Sequence, residues 1–562
     1  MYLGTPVAVP EAPGKITFRA KGPATYVYYE YAREYDPERK FNVPRRVTIG
    51  KLADPSDRTR MLPNENFAKR FPELLPEEQE EQQRSGCLRM GAFAAMRRVS
   101  RELGLPEALA HAVGEKDAGL LLDLAFYSVM TEGNVAQHYP AYAWSHPLMT
   151  AGMRIYSDSR VSEALQAAGG DAPSGFLREW NEGRDRRERI WINYDSTNVS
   201  CQAGDISFVE PGHPEDGKGL PVMNLSIAYD RTNSAPLFYE EYPGSIVDVS
   251  QLQLMAEKAQ AFGWRRYGFI LDRGYFSRAN IECMDRHGYP FVMMVKGMSG
   301  LVSETVSEVR GTFETSRPCS IRRYRAYGTT VRRPLWSGDS RERWIHIYHS
   351  SAREAREREA LEAQLERMAA AMSRMEGRKW SMPAEYSRWY KAYCDGETFL
   401  FAKERQDAVR EALEHCGYFA IVTSEEMDAR AALMLYKSRD ASEKLFCASK
   451  SFLGGDALRV HSDESASGKV FCGFVALIIR DRMHALLSQH AASAGSKANY
   501  MSVPAAIREL EKIELIRQAD GVYRLAHAVT ATQKAILAAF RMDAGDMAEA
   551  AKEISSTIGE GR

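Results

Sequence analysis

Between residues 189 and 296 the apolar runs follow one another as strand, strand, strand, helix, strand, helix, strand, and that order leaves few folds open. RIWINYDSTNVS is the first strand, expected to end at Asp195. PVMNLSIAYD and APLFYEEYPG come next, joined by the turn DRTNS, which is an antiparallel hairpin signal. VSQLQLMAEKAQAFG has helical spacing and ends at glycine. YGFILDRGYFS is a short apolar strand running into Asp272, SRANIECMDRHG a helix capped by Ser277, and PFVMMVKG a further buried strand. The fold class is therefore multi-domain α/β, a mixed sheet flanked by helices, with acids at strand ends, where ligands of open sheets gather.

The rest of the chain divides around this block. Residues 1–75 are β-rich: ATYVYYEYARE and VPRRVTIGKL are strands joined by DPERK. An acidic Pro/Glu run at 72–83 is a linker. A helical domain is expected over 86–185, the first part of the sheet domain over 186–300, and an insertion with strands and a long charged helix over 301–415. The sheet domain returns over 416–490, with GYFAIVT as a strand and a helix from about 425 to 453 that SEE opens and GG closes. Residues 491–562 are helical with a hairpin at IELIRQADGVYRLA.

The start has neither a basic segment nor an apolar one, so no signal peptide is expected. FCGFVALII is about half the length of a membrane span, and the eight cysteines include no CxxC. These features lead to the expectation of a cytoplasmic protein with reduced thiols and no membrane partner. Net charge is −1, yet residues 317–353 hold nine arginines and two acids. A locally basic face attracts phosphate even on a neutral chain.

YKSRDASEKLFCASK, residues 436–450, carries Tyr436, Arg439, Glu443 and Lys450. At 100° per residue all four fall within an arc of about 60°, a polar stripe about 21 Å long. A solvated face with an Arg439–Glu443 pair is the ordinary reading. The alternative is a phosphate site: two cations and a phenol are phosphate donors, and one carboxylate among them makes sense if a divalent cation sits between. Asp195 and Asp272 could complete that set, although either could serve only as a turn residue. With Glu443 they would hold two Mg²⁺ ions, Mn²⁺ being a substitute, for in-line phosphodiester displacement.

The spacing Y-x2-R-x3-E-x6-K, together with NYDST and LDRGYFS, resembles the signature of bacterial DDE transposases of the insertion-sequence-four superfamily. The resemblance covers about 185–485 and implies an RNase H-like core, with Asp195, Asp272 and Glu443 as catalytic and metal-binding residues. The segment of about 170 residues between Asp272 and Glu443 resembles a β-containing insertion. The activity implied by this resemblance is that of a transposase, which cuts DNA at transposon ends and joins the 3′ ends to target DNA, with Tyr436, Arg439 and Lys450 gripping backbone phosphates. Double-stranded DNA is the implied partner, and a homodimer on DNA is expected because two ends must be cut together. A non-catalytic DNA-binding descendant and a nuclease without strand transfer are the alternatives.

Some relatives hold a flipped base on an aromatic of the insertion, a role open to Trp336 or Trp344 beside the arginine cluster. Arg322, Arg323, Arg325, Arg332 and Arg333 interleave with aromatics in SIRRYRAYGTTVRRPLW, a strand suited to tracking a nucleic-acid backbone. Lys40, Arg45 and Arg46 on the N-terminal strands are candidates for binding the terminal inverted repeats. SGKV at 467–470 lacks the first glycine and the Ser/Thr of a phosphate-binding loop, so no role for ATP is expected.

Overall fold

The computed structural model describes residues 7–11, 14–22, 24–36, 40–54, 57–71, 74, 84–133, 138–184, 188–201, 206–211, 220–246, 251–296, 300–439, 460, 462–493, 495 and 501–560. The chain divides into two compact units, Met1–Arg84 and Ser85–Gly561. The acidic run at 72–83 lies almost wholly outside the described residues.

The first unit is an antiparallel sheet of β1 (Val7–Ala8), β2 (Lys15–Lys21), β3 (Ala24–Asp36), β4 (Phe41–Asp54) and β5 (Asp57–Pro63), in the order β1-β5-β4-β3-β2. A short helix, α1 (Glu65–Arg70), is capped by Asn64, whose side chain accepts from the Asn66 and Phe67 amides. Val27, Ile49, Leu52, Met61, Phe67 and Phe71 are buried together.

The second unit opens with β6 (Cys87–Arg89) and the helices α2 (Gly91–Glu102), α3 (Leu105–Val113), α4 (Glu115–Thr131), α5 (Tyr139–Ser145), α6 (Asp158–Ala168) and α7 (Ala172–Glu182). The sheet block then comprises β7 (Ile190–Ser200), β8 (Val222–Asp230), β9 (Ala235–Pro243), α8 (Gln251–Ala261), β10 (Tyr267–Leu271), α9 (Arg278–His287) and β11 (Phe291–Met294). β7, β8 and β9 are antiparallel neighbours, while β10 pairs parallel with both β7 and β11. Counted from β7, the order is 3-2-1-4-5 with the second strand reversed, the RNase H-like arrangement that the resemblance implied.

The segment after β11 contains α10 (Gly300–Val309), β12 (Ser320–Ile321), β13 (Ala326–Pro334), β14 (Glu342–His349), α11 (Ser351–Ser373), β15 (Arg378–Lys379), β16 (Tyr390–Asp395), β17 (Thr398–Glu404) and α12 (Gln406–Glu414). It is not one body. β12, β13 and β14 extend the main sheet through β18 (Tyr418–Thr423), which is antiparallel to both β14 and β11. Only α11, α12 and the small sheet β15-β17-β16 share a core of their own, around Met368, Trp389 and Phe399.

The remaining elements are α13 (Ala429–Lys437), α14 (Asp463–Ser493), α15 (Val503–Leu510), β19 (Glu514–Arg517), β20 (Tyr523–Leu525), α16 (Ala531–Ala539) and α17 (Ala544–Glu560). The expected C-terminal hairpin is β19–β20, and β19 also pairs with β6. The 86–185 and 491–562 stretches, read separately in sequence, are thus joined by a shared sheet. α14 runs through the large core, with Gly468 of SGKV inside it rather than in a loop. No helix among the described residues is long and apolar enough to cross a membrane.

Three local expectations are corrected. Asp195 does not end its strand: β7 continues to Ser200, opposite Val222 of β8. The helix before the signature residues does not begin at SEE. Ser424 remains tied to Phe291 of β11 through backbone and side chain, and Asp428 caps α13 by accepting from the Ala431 amide. α13 then ends at Lys437, with Ser438 and Arg439 forming a turn, so Tyr436 and Arg439 do not sit on one continuous helix. Residues 440–459, including Glu443, Lys450 and the closing GG, lie outside the described residues.

Candidate active site

The main sheet has two covered faces, and its alternation decides which side chains meet. Ile192 and Tyr194 of β7, with Phe269 and Leu271 of β10, point into the large core. The intervening residues point the other way. Ile270 and Val292 pack with Ala429, Leu433 and Tyr436 of α13, and Trp191 lies against them. Burying Leu433 in this cluster contributes about 1.5–3 kcal/mol to holding α13 on the sheet. Asp195 shares the parity of Trp191, and Asp272 that of Ile270, so both aspartates belong to the α13 face.

Register brings them together along the strands. β7 and β10 run parallel with Ile270 opposite Asn193, and two residues further along both chains stand Asp272 and Asp195. Asp272 keeps an extended backbone (φ −73°, ψ 166°) just past β10. The two positions are therefore neighbours on strands roughly 4.8 Å apart. A brace from the following turn holds this arrangement: the Tyr275 hydroxyl donates to Ser196 Oγ at 3.1 Å, and the Tyr275 and Tyr194 rings touch.

Asp272 is engaged both by its own turn and by residues at and just past the end of α13. Its Oδ1 accepts from the Arg273 amide at 2.6 Å and from the Tyr436 hydroxyl at 3.2 Å, and lies 3.0 Å from Arg439 Nη1. All three contacts fall on one oxygen. The Asp272 side chain is 35% exposed and that of Arg439 only 9%. Asp195 Oδ1 accepts from the Ser196 amide at 3.1 Å. The structure thus gathers Asp195, Asp272, Tyr436 and Arg439 on one face. Among the described residues no group of three or more His, Cys, Asp or Glu is placed to hold a metal. The two aspartates supply hard oxygen donors of the kind Mg²⁺ prefers, and Glu443 would be the third.

Two features escaped the sequence reading. Arg189 makes a two-pronged contact with Glu425, 2.9 and 2.7 Å, clamping the start of β7 to the loop before α13 while stacking over Trp191. Tyr275 is the other. Its only signal was a tyrosine three residues after an acid.

The candidate DNA-contacting residues part company. Arg322, Arg323 and Arg325 are exposed on a turn that interrupts the expected strand between β12 and β13, with Arg325 in a left-handed conformation (φ 50°). They have no carboxylate partner among the described residues. Ile321, Tyr324 and Ala326 of the same turn pack into the cluster that holds Tyr436, so these guanidiniums border the acid-bearing face. Arg332 pairs with Glu342 at 3.1 Å, and Arg333 lies near Glu304 and Glu308. Trp336 lies between Arg278 and Arg343 and against the large core, and Arg332 covers Trp344. In the N-terminal unit Lys40 is exposed, but Arg45 pairs with Glu34 and Arg46 with Glu30.

The site is thus a pair of aspartates side by side on an RNase H-like sheet, beneath a covering helix. Residues 189–479, more than half of the chain, match the family described as Transposase DDE domain, and the protein belongs to that family. A solved structure similar to this chain is the cryo-EM structure of a piggyBac transposase synaptic complex with hairpin DNA. The likeness covers 75% of this chain and 76% of that one, at 10% sequence identity and a TM-score of 0.36. No curated protein matches the chain.

Proposed function

We propose that this DDE transposase cleaves DNA at the terminal inverted repeats of a transposable element and joins the freed 3′ ends to target DNA. Hydrolysis makes the cut and transesterification makes the join. The observation that carries this reading is the meeting of Asp195 and Asp272 on the sheet face that α13 covers, with Tyr436 and Arg439 contacting Asp272.

Asp195, Asp272 and Glu443 are the carboxylates assigned to hold two magnesium ions. Glu443 enters from its position, six residues beyond the end of α13. When bound, such ions lower the pKa of the attacking water or 3′-hydroxyl and stabilise charge on the leaving oxygen. The protein's own side chains do the positioning. Tyr436, Arg439 and Lys450 are donors for the phosphates that flank the cut, and Arg322, Arg323 and Arg325 extend positive charge along the duplex. Two transposon ends are processed together, so the working form is a dimer on DNA.

The test is a supercoiled plasmid carrying the two ends of the element that encodes this chain, incubated with purified protein and MgCl₂. Wild-type protein nicks and then cuts at the ends. Asp195→Asn and Asp272→Asn still shift the DNA in a gel but leave it uncut. Nicking by Asp272→Asn at the wild-type rate would defeat the assignment. Joining of a pre-cut 3′ end to a second DNA separates a transposase from a nuclease.

A further inference from the structure

The aromatic side chains that the insertion leaves in the open are Tyr393 and Phe401, not Trp336 and Trp344. β16 and β17 form a hairpin in which Lys391 lies opposite Lys403 and Tyr393 opposite Phe401. The alternate positions Ala392, Ala402 and Phe399 pack against α11 and α12 in the small core. The lysine and aromatic pairs therefore form one outward-facing row.

Tyr393 is 36% exposed and Phe401 49%, and their rings stack with centroids 4.7 Å apart and planes 13° from parallel. The register slips by a residue beside Tyr393, which leaves Leu400 exposed next to the pair. Lys391 Nζ stands 5.5 Å from the Tyr393 ring. Neither Lys391 nor Lys403 has a carboxylate partner among the described residues. Asp395, at the turn, is the one acid on this row of β16.

Large apolar rings held in water mark an interaction surface. An apolar protein partner would have to strip two unpaired ammonium groups of water, which is costly. A polyanion with flat, exposed faces satisfies both features: cations meet phosphates and rings meet bases. A closed duplex keeps its base faces stacked inside, so it offers the two rings nothing to stack on. We infer that this hairpin face binds single-stranded nucleic acid, with Lys391 and Lys403 on backbone phosphates and the Tyr393–Phe401 pair stacking on unpaired bases. The inference rests on the DNA reading above only for the source of the strand, which is DNA opened at a cut end or at the target.

The experiment uses the full chain with EDTA present and fluorescein-labelled oligothymidylate, read by anisotropy. Tyr393→Ala/Phe401→Ala weakens binding at least tenfold. Lys391→Gln/Lys403→Gln lowers the salt dependence of log K by about 1.4, two contacts at about 0.7 each. Photo-crosslinking of an oligonucleotide carrying 5-iodouracil lands on the peptide containing Tyr393 or Phe401. Unchanged affinity in the ring variant, or crosslinks only elsewhere, overturns the inference. So does a ring variant that binds oligothymidylate normally but loses self-association in sedimentation, because the face then joins two copies of the chain. Asp272→Asn retains oligothymidylate binding, so failure of the cleavage assignment and failure of this site give different results.

Discussion

The Tyr436 hydroxyl, near the end of α13, donates to Oδ1 of Asp272 across 3.2 Å, joining the helix to the acid just past β10. The Tyr436 ring is itself 5% exposed, packed with Leu433 and Ile270. Tyr436→Phe therefore keeps the packing and removes one hydrogen bond. Stability is expected to fall by only about 1 kcal/mol. The rate of end cleavage in single turnover is expected to fall about tenfold, because the hydroxyl that positions Asp272 is lost. Thermal unfolding together with a cleavage time course checks both, and an unchanged rate would reduce Tyr436 to a packing residue.

Arg439 sits in the turn after α13, nearly buried, 3.0 Å from the same carboxylate oxygen. Its planar fork is not reproduced by lysine. Arg439→Lys keeps the charge but is expected to lower cleavage at least tenfold, while Arg439→Ala lowers both cleavage and end binding. Gel shifts and cleavage on the same end duplex distinguish the two. Equal activity of Arg439→Lys and wild type would mean that charge alone matters at this position.

The strand-helix order of the core was legible because each apolar run is short and bounded by turn residues, from RIWINYD to PFVMMV. What escaped was set by pairing at a distance. STNVS looks like a polar loop after Asp195, yet it continues β7 because β8 lies beside it, residue for residue as far as Val222. β14 reads as part of an inserted body, yet it pairs with β18, Trp344 opposite Thr423. Arg343, counted in sequence within a basic cluster, is buried between Asp339 and Asp285 and offers nothing to DNA. The polar stripe from Tyr436 onward kept its helical period in sequence, but a period cannot show where the backbone turns, and it turns at Ser438. The aspartate pair was legible as two acids in strand contexts. That they share a face became visible only once the β7–β10 register was known.

The crossing of α6 and α14 yields a prediction about stability alone. A Cβ placed on Gly468 would lie 1.8 Å from the Leu165 carbonyl oxygen, and one on Gly169 would lie 1.7 Å from that of Glu464. Both obstacles are backbone and cannot swing aside. Gly468→Ala is expected to cost at least about 1–3 kcal/mol through overpacking, although alanine is the better helix former. Chemical denaturation checks this, and a stability gain would show that the helices separate freely. Gly170, with open space around its Cβ position, is the control: Gly170→Ala should leave the midpoint almost unmoved.

Stability should also respond to pH through α14. Burial pushes the Asp481 carboxyl of that helix up to about 7, even though Arg184, Arg231 and Arg482 all draw it down. The Tyr229 hydroxyl donates to both of its oxygens, at 3.3 and 3.2 Å. The folded chain therefore holds a proton on Asp481 at pH values where the unfolded chain, with an ordinary aspartate, has released it. Stability supplied by this group is present below the unfolded value near 4 and is lost as pH rises toward 7. Burial of Glu241, also to about 7, acts in the same direction, while His346, pushed down to about 4 by burial, acts in the opposite one. A pH profile of the wild type alone would mix these groups, so the informative quantity is a difference. Asp481→Asn keeps an acceptor for Tyr229 and cannot ionise. Relative to wild type it is expected to gain about 2–3 kcal/mol of stability between pH 5 and pH 8, most of it before pH 7. Urea midpoints of both proteins at several pH values measure the gain. A difference that stays constant across the range would mean that Asp481 is already ionised at pH 5, its three arginines outweighing its burial.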